Sequence, residues 1–184
     1  MDLKIVKNLK ETMKIIRYRL LGFPSKEHSF IKTTLDDKRG HAGNNYCFKR
    51  CRKPHGPDVI VYLSPRQLIS KLYPDDTLHS LSVTDYSSNP IKIHIDNINW
   101  NQIPKGFTSC LQTYKQYLIQ HEFGHALGIL QHAHPTHDKH KCGRCHVMYQ
   151  QTKGTEGLCI PNPWWDPYKK TAKKKKTKKK KKKK

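Results

Sequence analysis

The sequence predicts an α+β domain in which one long helix packs against a mixed sheet. Three observations lead to this class. Strand-like and helix-like segments follow one another in the order strand–helix–strand–strand–helix–strand–helix. Several strand-like segments alternate apolar with polar residues or are rich in β-branched and aromatic residues. One segment, residues 109–127, is long enough for a helix of about five turns.

The first strand and the first helix are predicted near the N-terminus. Strand-like alternation of apolar residues with arginines occurs in a run of five: Ile16, Arg17, Tyr18, Arg19 and Leu20. The alternation predicts a strand with one buried face, and Gly22 and Pro24 end it. A short helix is expected to begin at Ser25 and to cover residues 25–35.

The middle of the chain contains two further strands and a helix. Tyr46, Phe48 and Arg50 indicate the second strand, and the β-branched and aromatic segment from Asp58 to Leu63 predicts the third. Ser64 is predicted to cap a helix that has Pro65 at its first position and ends near Leu72. Residues 74–90, rich in Ser, Asp, Thr and Pro, are predicted to form a loop.

The last strand and the long helix are the strongest predictions. Ile91, Ile93 and Ile95 alternate with polar residues, so the segment Ile91–Asp96 is expected to be a strand with one buried face. After a loop that passes through Gly106, a helix is predicted over residues 109–127. Gly128 follows as its terminator.

The charge of the chain is concentrated at the C-terminus. Thirteen lysines lie between Lys169 and Lys184, and without them the formal net charge falls from +22 to +9. Ala172 is the one apolar residue of this tail, which therefore buries too little surface to offset its chain entropy. The predicted organisation is a folded domain over residues 1–168 and a disordered poly-lysine tail over 169–184. The charge of the tail alone could bind it to nucleic acid or anionic membrane, and the alternative is a solvated tail with only nonspecific affinity.

Targeting and membrane segments are not predicted. No run approaches the roughly 18 apolar residues that a transmembrane helix needs. The apolar residues near the N-terminus are interrupted by Arg17 and Arg19, which is unlike the uninterrupted apolar core of a signal peptide.

The motif with the clearest chemistry is His121-Glu122-Phe123-Gly124-His125, inside the long predicted helix. Histidines four positions apart lie on one face of a helix, so both imidazoles can reach one metal ion. Glu122 is rotated away from that pair, where it can accept a proton from water instead of binding the metal. The alternative is a polar helix face with solvated histidines. Apolar neighbours on several sides argue against it, because they indicate a buried helix: Leu118, Ile119, Phe123, Ala126 and Leu127.

From His121 to Gly128 the sequence resembles the first eight positions of the extended metzincin zinc-peptidase motif. The resemblance implies a zincin-like mixed sheet with a long active-site helix, a Zn²⁺ ion, and a third histidine three residues after the glycine. Here Gln131 occupies that position and His132 follows it. On a continued helix His132 would lie some 10 Å along the axis from His125, so the helix is expected to break near Gly128. We predict His132 as the third ligand, with His134 as the competing choice.

Residues near the C-terminus extend the resemblance. The segment Val147–Gly154, followed by Cys159 and residues 161–164, is similar to a group of uncharacterised bacterial matrixin-like proteins. This resemblance makes Met148 the methionine turn that lies beneath the metal in metzincins. Tyr149, directly after it, is the candidate stabiliser of the oxyanion.

Six cysteines leave several arrangements open: Cys47, Cys51, Cys110, Cys142, Cys145 and Cys159. A disulfide between Cys159 and either Cys142 or Cys145 would close the loop that carries Met148. A second zinc site is an alternative, with Cys142 and Cys145 joined by nearby histidines. The segment Cys142–His146 also fits the pattern of covalent c-type haem attachment.

Together these patterns predict a zinc-dependent endopeptidase that acts on peptides or proteins, with Glu122 as general base. The strand Ile91–Asp96 is the predicted edge strand that pairs with an extended substrate. The alternative function is a non-catalytic zinc-binding module that its basic tail localises to nucleic acid.

Overall fold

The computed structural model describes residues 12–52, 56–75, 81–134, 143–155 and 157–166. The lysine tail and Cys142 therefore lie outside the described residues.

A five-stranded sheet forms the centre of the fold. Its strands are β1 (Lys14–Leu21), β2 (Tyr46–Arg50), β3 (Val59–Ser64), β4 (Val83–Asp85) and β5 (Ile91–Asp96). They lie in the order β2-β1-β3-β5-β4; β4 runs antiparallel to β5, whereas the other neighbours are parallel. The sheet is thus mixed, as the sequence predicts.

The helices are α1 (Ser25–Asp36), α2 (Arg66–Leu72), α3 (Asn97–Asn101) and α4 (Leu111–Ala126). Among the residues that the structure describes, the 3-10 turns His41–Gly43 and Gln151–Lys153 accompany them. Helices α1 and α4 are in contact with each other, and α4 also contacts the β4 and β5 strands. The mixed sheet and these helices agree with the predicted α+β class.

The core lies between one face of the sheet and helices α1 and α4. Alternate residues of the strands point into it, and their register aligns Tyr18 with Val59 and Leu20 with Val61. Phe123 of α4 packs edge-on against Tyr18, with ring centroids 5.9 Å apart. This packing holds α4 against the sheet because both rings, one on the strand and one on the helix, are fully buried.

Three predictions of secondary structure are wrong. Residues 74–90 include the strand β4 instead of being loop throughout, and the predicted loop that passes through Gly106 begins with the short helix α3. Ser64 is not a helix cap: it remains in β3, where its hydroxyl hydrogen-bonds His94 Nδ1 at 2.9 Å. The Ser64 hydroxyl thus bonds to a side chain on the neighbouring strand instead of capping the helix. Because His94 is 30 positions away, the sequence around Ser64 cannot reveal this bond.

The predicted edge strand is also wrong. The strand Ile91–Asp96 has the predicted bounds, but it is an inner strand of the sheet, between β3 and β4, and β4 pairs with its residues 92–94. Its antiparallel neighbour β4 occupies the edge beside α4. Within the described part of the chain, no helix is long and apolar enough to cross a membrane.

Candidate metal centre

Helix α4 brings His121 and His125 together one turn apart. Their Nε2 atoms are 3.3 Å apart, and their rings meet edge to face at 88°. The apolar residues around the motif bury this end of the helix, so that His121 is only 5% exposed. The i, i+4 spacing thus gives the convergent pair that the motif predicts.

A third imidazole reaches the pair after the chain reverses. Gly128 adopts a φ of 94°, in the left-handed region that favours glycine, and α4 has ended two residues before it. The ring of His132 then lies 5.4 Å from that of His121 and 4.9 Å from that of His125, measured between centroids. One ring nitrogen from each of the three histidines lies within 4.8 Å of the others, whereas His134 is not part of this group.

The remaining ring nitrogens fix how two of the imidazoles are protonated. His121 Nδ1 lies 2.9 Å from the carbonyl oxygen of Val147, and His125 Nδ1 lies 2.7 Å from that of Ile129. Because a carbonyl oxygen can only accept, each Nδ1 donates, and each neutral ring leaves a lone pair on Nε2. Two lone pairs 3.3 Å apart repel each other unless a cation lies between them. This donor set fits a divalent metal with an affinity for imidazole.

Burial keeps these imidazoles neutral, as metal ligation requires. Burial and, to a smaller extent, the neighbouring His125 lower the pKa of His121 to about 3, although the bond to Val147 opposes the shift. The pKa values of His125 and His132 are also lowered, mainly by burial. Protons therefore compete little with a metal for these nitrogens at neutral pH.

Glu122 lies beside the histidines with its carboxyl group buried. The residue is 4% exposed, and the hydroxyl of Thr84 lies 2.6 Å from its Oε2 atom. Burial raises the pKa of Glu122 to about 7, against the opposing effect of the Thr84 hydrogen bond. A carboxyl group with a pKa near neutrality can both accept and return a proton.

Met148 lies directly beneath the motif. It is 1% exposed, and its sulfur lies so close to Gly124 that a side chain at that position would overlap it. The backbone nitrogen of Ala133, next to His132, lies 3.1 Å from the Met148 carbonyl oxygen. The segment carrying Met148 thus contacts both the helix and the return loop of the metal centre.

The hydroxyl of Tyr149 points elsewhere. It donates to the Gly154 carbonyl oxygen at 3.3 Å, and Tyr149 is not among the residues that line the cavity beside Glu122. That cavity has a volume of about 300 Å³. Apart from Glu122 and the three histidines, its lining is uncharged: Leu81, Ser82, Val83, Thr84, Tyr86, Tyr117, Leu130, Gln150 and Thr152.

A disulfide closes the loop that carries Met148. It joins Cys145 to Cys159, which confirms the predicted bridge and identifies the partner of Cys159. Because Cys145 is in a disulfide, neither haem attachment through Cys142 and Cys145 nor a second zinc site that uses Cys145 is compatible with this structure. The amide of Asn162 also donates to the Cys145 carbonyl oxygen at 2.8 Å.

A family model described as "Protein of unknown function (DUF3152)" matches residues 16–168. The chain belongs to this family. The matched residues contain most of β1, the other four strands, α4 and the three histidines that could hold a metal. The three-histidine group therefore lies within the part of the chain that the DUF3152 family model matches.

Other comparisons with this DUF3152 chain are weak. No curated protein matches it. Two solved structures of myroilysin match with a TM-score of 0.38, at 17% and 16% sequence identity. Each match covers 64% of this chain, but only 48% and 44% of the respective myroilysin chain. At this TM-score residues cannot be equated between the folds.

The site contains one residue that sequence analysis missed. Thr84 contacts Glu122, but it belongs to the segment that was predicted to be loop. The alternation of Val83, Thr84 and Asp85 is a strand signal, but three residues are too few to stand out from a polar segment.

Proposed function

We propose that the chain is a zinc-dependent endopeptidase, with Zn²⁺ held by His121, His125 and His132 and with Glu122 as general base. The observation that carries the proposal is the convergence of three imidazole nitrogens within 4.8 Å of one another, beside a buried carboxyl group that lines an accessible cavity. A purely structural zinc site is closed by four protein ligands and needs no such carboxylate.

The chemistry divides between the metal and Glu122. Bound Zn²⁺ supplies Lewis acidity, which polarises a peptide carbonyl and lowers the pKa of water. Glu122 Oε2 is held by Thr84, whereas Oε1 has no hydrogen-bond partner among the described residues. We therefore assign Oε1 as the atom that accepts the proton from water and returns it to the leaving amine.

The substrate is proposed to lie along β4. This strand is at the edge of the sheet, and its residues Val83 and Thr84 line the cavity beside Glu122. An extended peptide can add to such an edge through main-chain hydrogen bonds, which bring its carbonyl groups past the metal centre. Tyr86 and Leu130 are 58% and 52% exposed at the cavity, and they offer apolar surface to a substrate side chain.

The proposal is tested by metal analysis combined with digestion of a mixed peptide library. The purified protein should contain about one zinc per chain and should cleave internal peptide bonds. A chelator should abolish cleavage, and added Zn²⁺ should restore it. Zinc binding without cleavage of any peptide would contradict the endopeptidase.

The alternative function is a non-catalytic zinc-binding module localised by its lysine tail. The observation that favours it is the run of thirteen lysines between Lys169 and Lys184, which suits binding to nucleic acid or anionic membranes. Removal of residues 169–184 should abolish salt-sensitive binding to DNA, RNA or anionic vesicles. If the main proposal is right, the truncated protein still cleaves peptides; the alternative expects cleavage from neither form.

A further inference from the structure

Thr84 occupies the position of β4 that faces the metal centre. In the antiparallel pairing of β4 with β5, Thr84 is aligned with Ile93, whose side chain is buried in the core between the sheet and α4. Side chains alternate along a strand, so Val83 and Asp85 point to the opposite face of the sheet. Thr84 is therefore the residue of β4 whose side chain is directed toward α4.

The hydroxyl of Thr84 has two acceptors on the same residue of α4. Its Oγ1 atom lies 2.6 Å from Glu122 Oε2 and 3.2 Å from the backbone oxygen of Glu122. A hydroxyl group has one hydrogen, and the shorter distance assigns it to the carboxyl group. A separation of 2.6 Å is typical of a hydroxyl that donates to an ionised carboxylate.

No other side chain of the described residues hydrogen-bonds this carboxyl group. A glutamate has three rotatable side-chain bonds, and burial alone does not select the rotamer that points into the cavity. The Thr84 hydrogen bond supplies that selection. It also joins Glu122 to the edge strand across 38 positions of sequence.

We propose that Thr84 is a positioning residue, which holds Glu122 Oε2 so that Oε1 faces the substrate. This inference rests on the proposed peptidase function and adds to it a dependence of the base on the edge strand. Because Thr84 belongs to the strand along which the substrate is placed, a shift of β4 moves the carboxylate with it.

The first test compares Thr84→Val with Thr84→Ser. Valine keeps the shape of threonine without the hydroxyl, whereas serine keeps the hydroxyl. Misplacement of the base should lower kcat of Thr84→Val by about 10- to 100-fold, with a smaller change in KM. Thr84→Ser should stay within about threefold of wild type, since it restores the donor, and both variants should keep one zinc.

Thr33→Val is the matched control. It is the same substitution on α1, where the Thr33 hydroxyl donates to the Ser29 carbonyl oxygen at 2.9 Å, and its kcat should equal that of wild type. A Thr84→Val variant with unchanged kcat overturns the inference. So does an equal loss in the valine and serine variants, or a loss of zinc from Thr84→Val, because each would indicate a merely structural role.

The second test measures the contact without metal or activity. Urea unfolding of the metal-free protein is compared for wild type, Thr84→Val, Glu122→Met and the double variant. If the hydroxyl holds the carboxyl group, the two changes are not additive, because either one removes the same bond. Additive changes overturn the contact. A wild-type protein that cleaves no peptide overturns the proposed function instead, and the two failures are thereby distinguished.

Discussion

The sulfur of Met148 lies against Gly124 with no room between them for a methyl group. Gly124 is the residue before His125 in the motif, and Met148 follows Val147, whose carbonyl oxygen orients His121. Glycine at this position of α4 therefore avoids an overlap with the buried Met148 side chain, although it lowers the intrinsic stability of a helix.

Gly124→Ala should therefore destabilise the protein. In an open helix this change would stabilise by up to about 1 kcal/mol, but overlap with the Met148 sulfur should reverse the sign and cost about 1–3 kcal/mol. Urea unfolding of the metal-free protein measures the effect. In a protein that already carries Met148→Ala, Gly124→Ala should cost less, because the smaller side chain leaves space for the new methyl group. An equal cost of Gly124→Ala with and without Met148→Ala would refute the packing argument.

The third ligand is tested by separate alanine variants of His132 and His134. His132→Ala should weaken zinc binding by at least about 100-fold, since loss of a direct ligand should exceed the 10- to 100-fold typical of second-shell changes. His134→Ala serves as the control from the same segment and should bind zinc like wild type. Both affinities come from one chelator titration. Loss of zinc in His134→Ala with retention in His132→Ala would show that His134, and not His132, is the third ligand.

His41 should make the stability of the metal-free protein depend on pH. It is 1% exposed, its Nε2 lies 2.7 Å from the Gln120 carbonyl oxygen, and burial lowers its pKa to about 4. The unfolded chain takes up a proton near pH 6.5, whereas the folded protein resists it. The neutral His41 therefore favours folding fully above pH 6.5, and this contribution is lost as the pH falls toward 4.

The measurement is urea unfolding at pH 7 and at pH 4.5 for wild type and His41→Gln. His121 changes stability in the same direction, so the difference between the two proteins isolates His41. Wild type should lose on the order of 2 kcal/mol more than the variant over this interval. Equal losses in both proteins would show that His41 is not buried in its neutral form.

Much of the sheet could be predicted from local patterns. The alternation in β1 and β5 and the β-branched residues of β3 are strong signals because each strand buries one face. The short strand β4 gave no comparable signal, since it exists through its pairing with β5 and its contact with α4. Missing β4 led directly to the wrong edge strand.

The positions of the candidate site's residues could be predicted from the sequence for some residues and not for others. His121 and His125 converge because helical spacing alone puts them on one face. The position of His132 depends on how the chain turns at Gly128, which helical spacing does not determine. In the structure this turn places the His132 ring next to the rings of His121 and His125. The Thr84–Glu122 bond joins segments 38 residues apart, so no local pattern could reveal it.

The most direct test of the endopeptidase is a comparison of wild type with Glu122→Gln, in which the amide cannot accept the proton. Zinc content and peptide turnover are measured on the same preparations. We predict that the variant keeps about one zinc per chain while kcat falls by about 10²–10⁴-fold, the usual contribution of a general base. Turnover equal to wild type in a zinc-loaded Glu122→Gln variant would contradict the proposed mechanism.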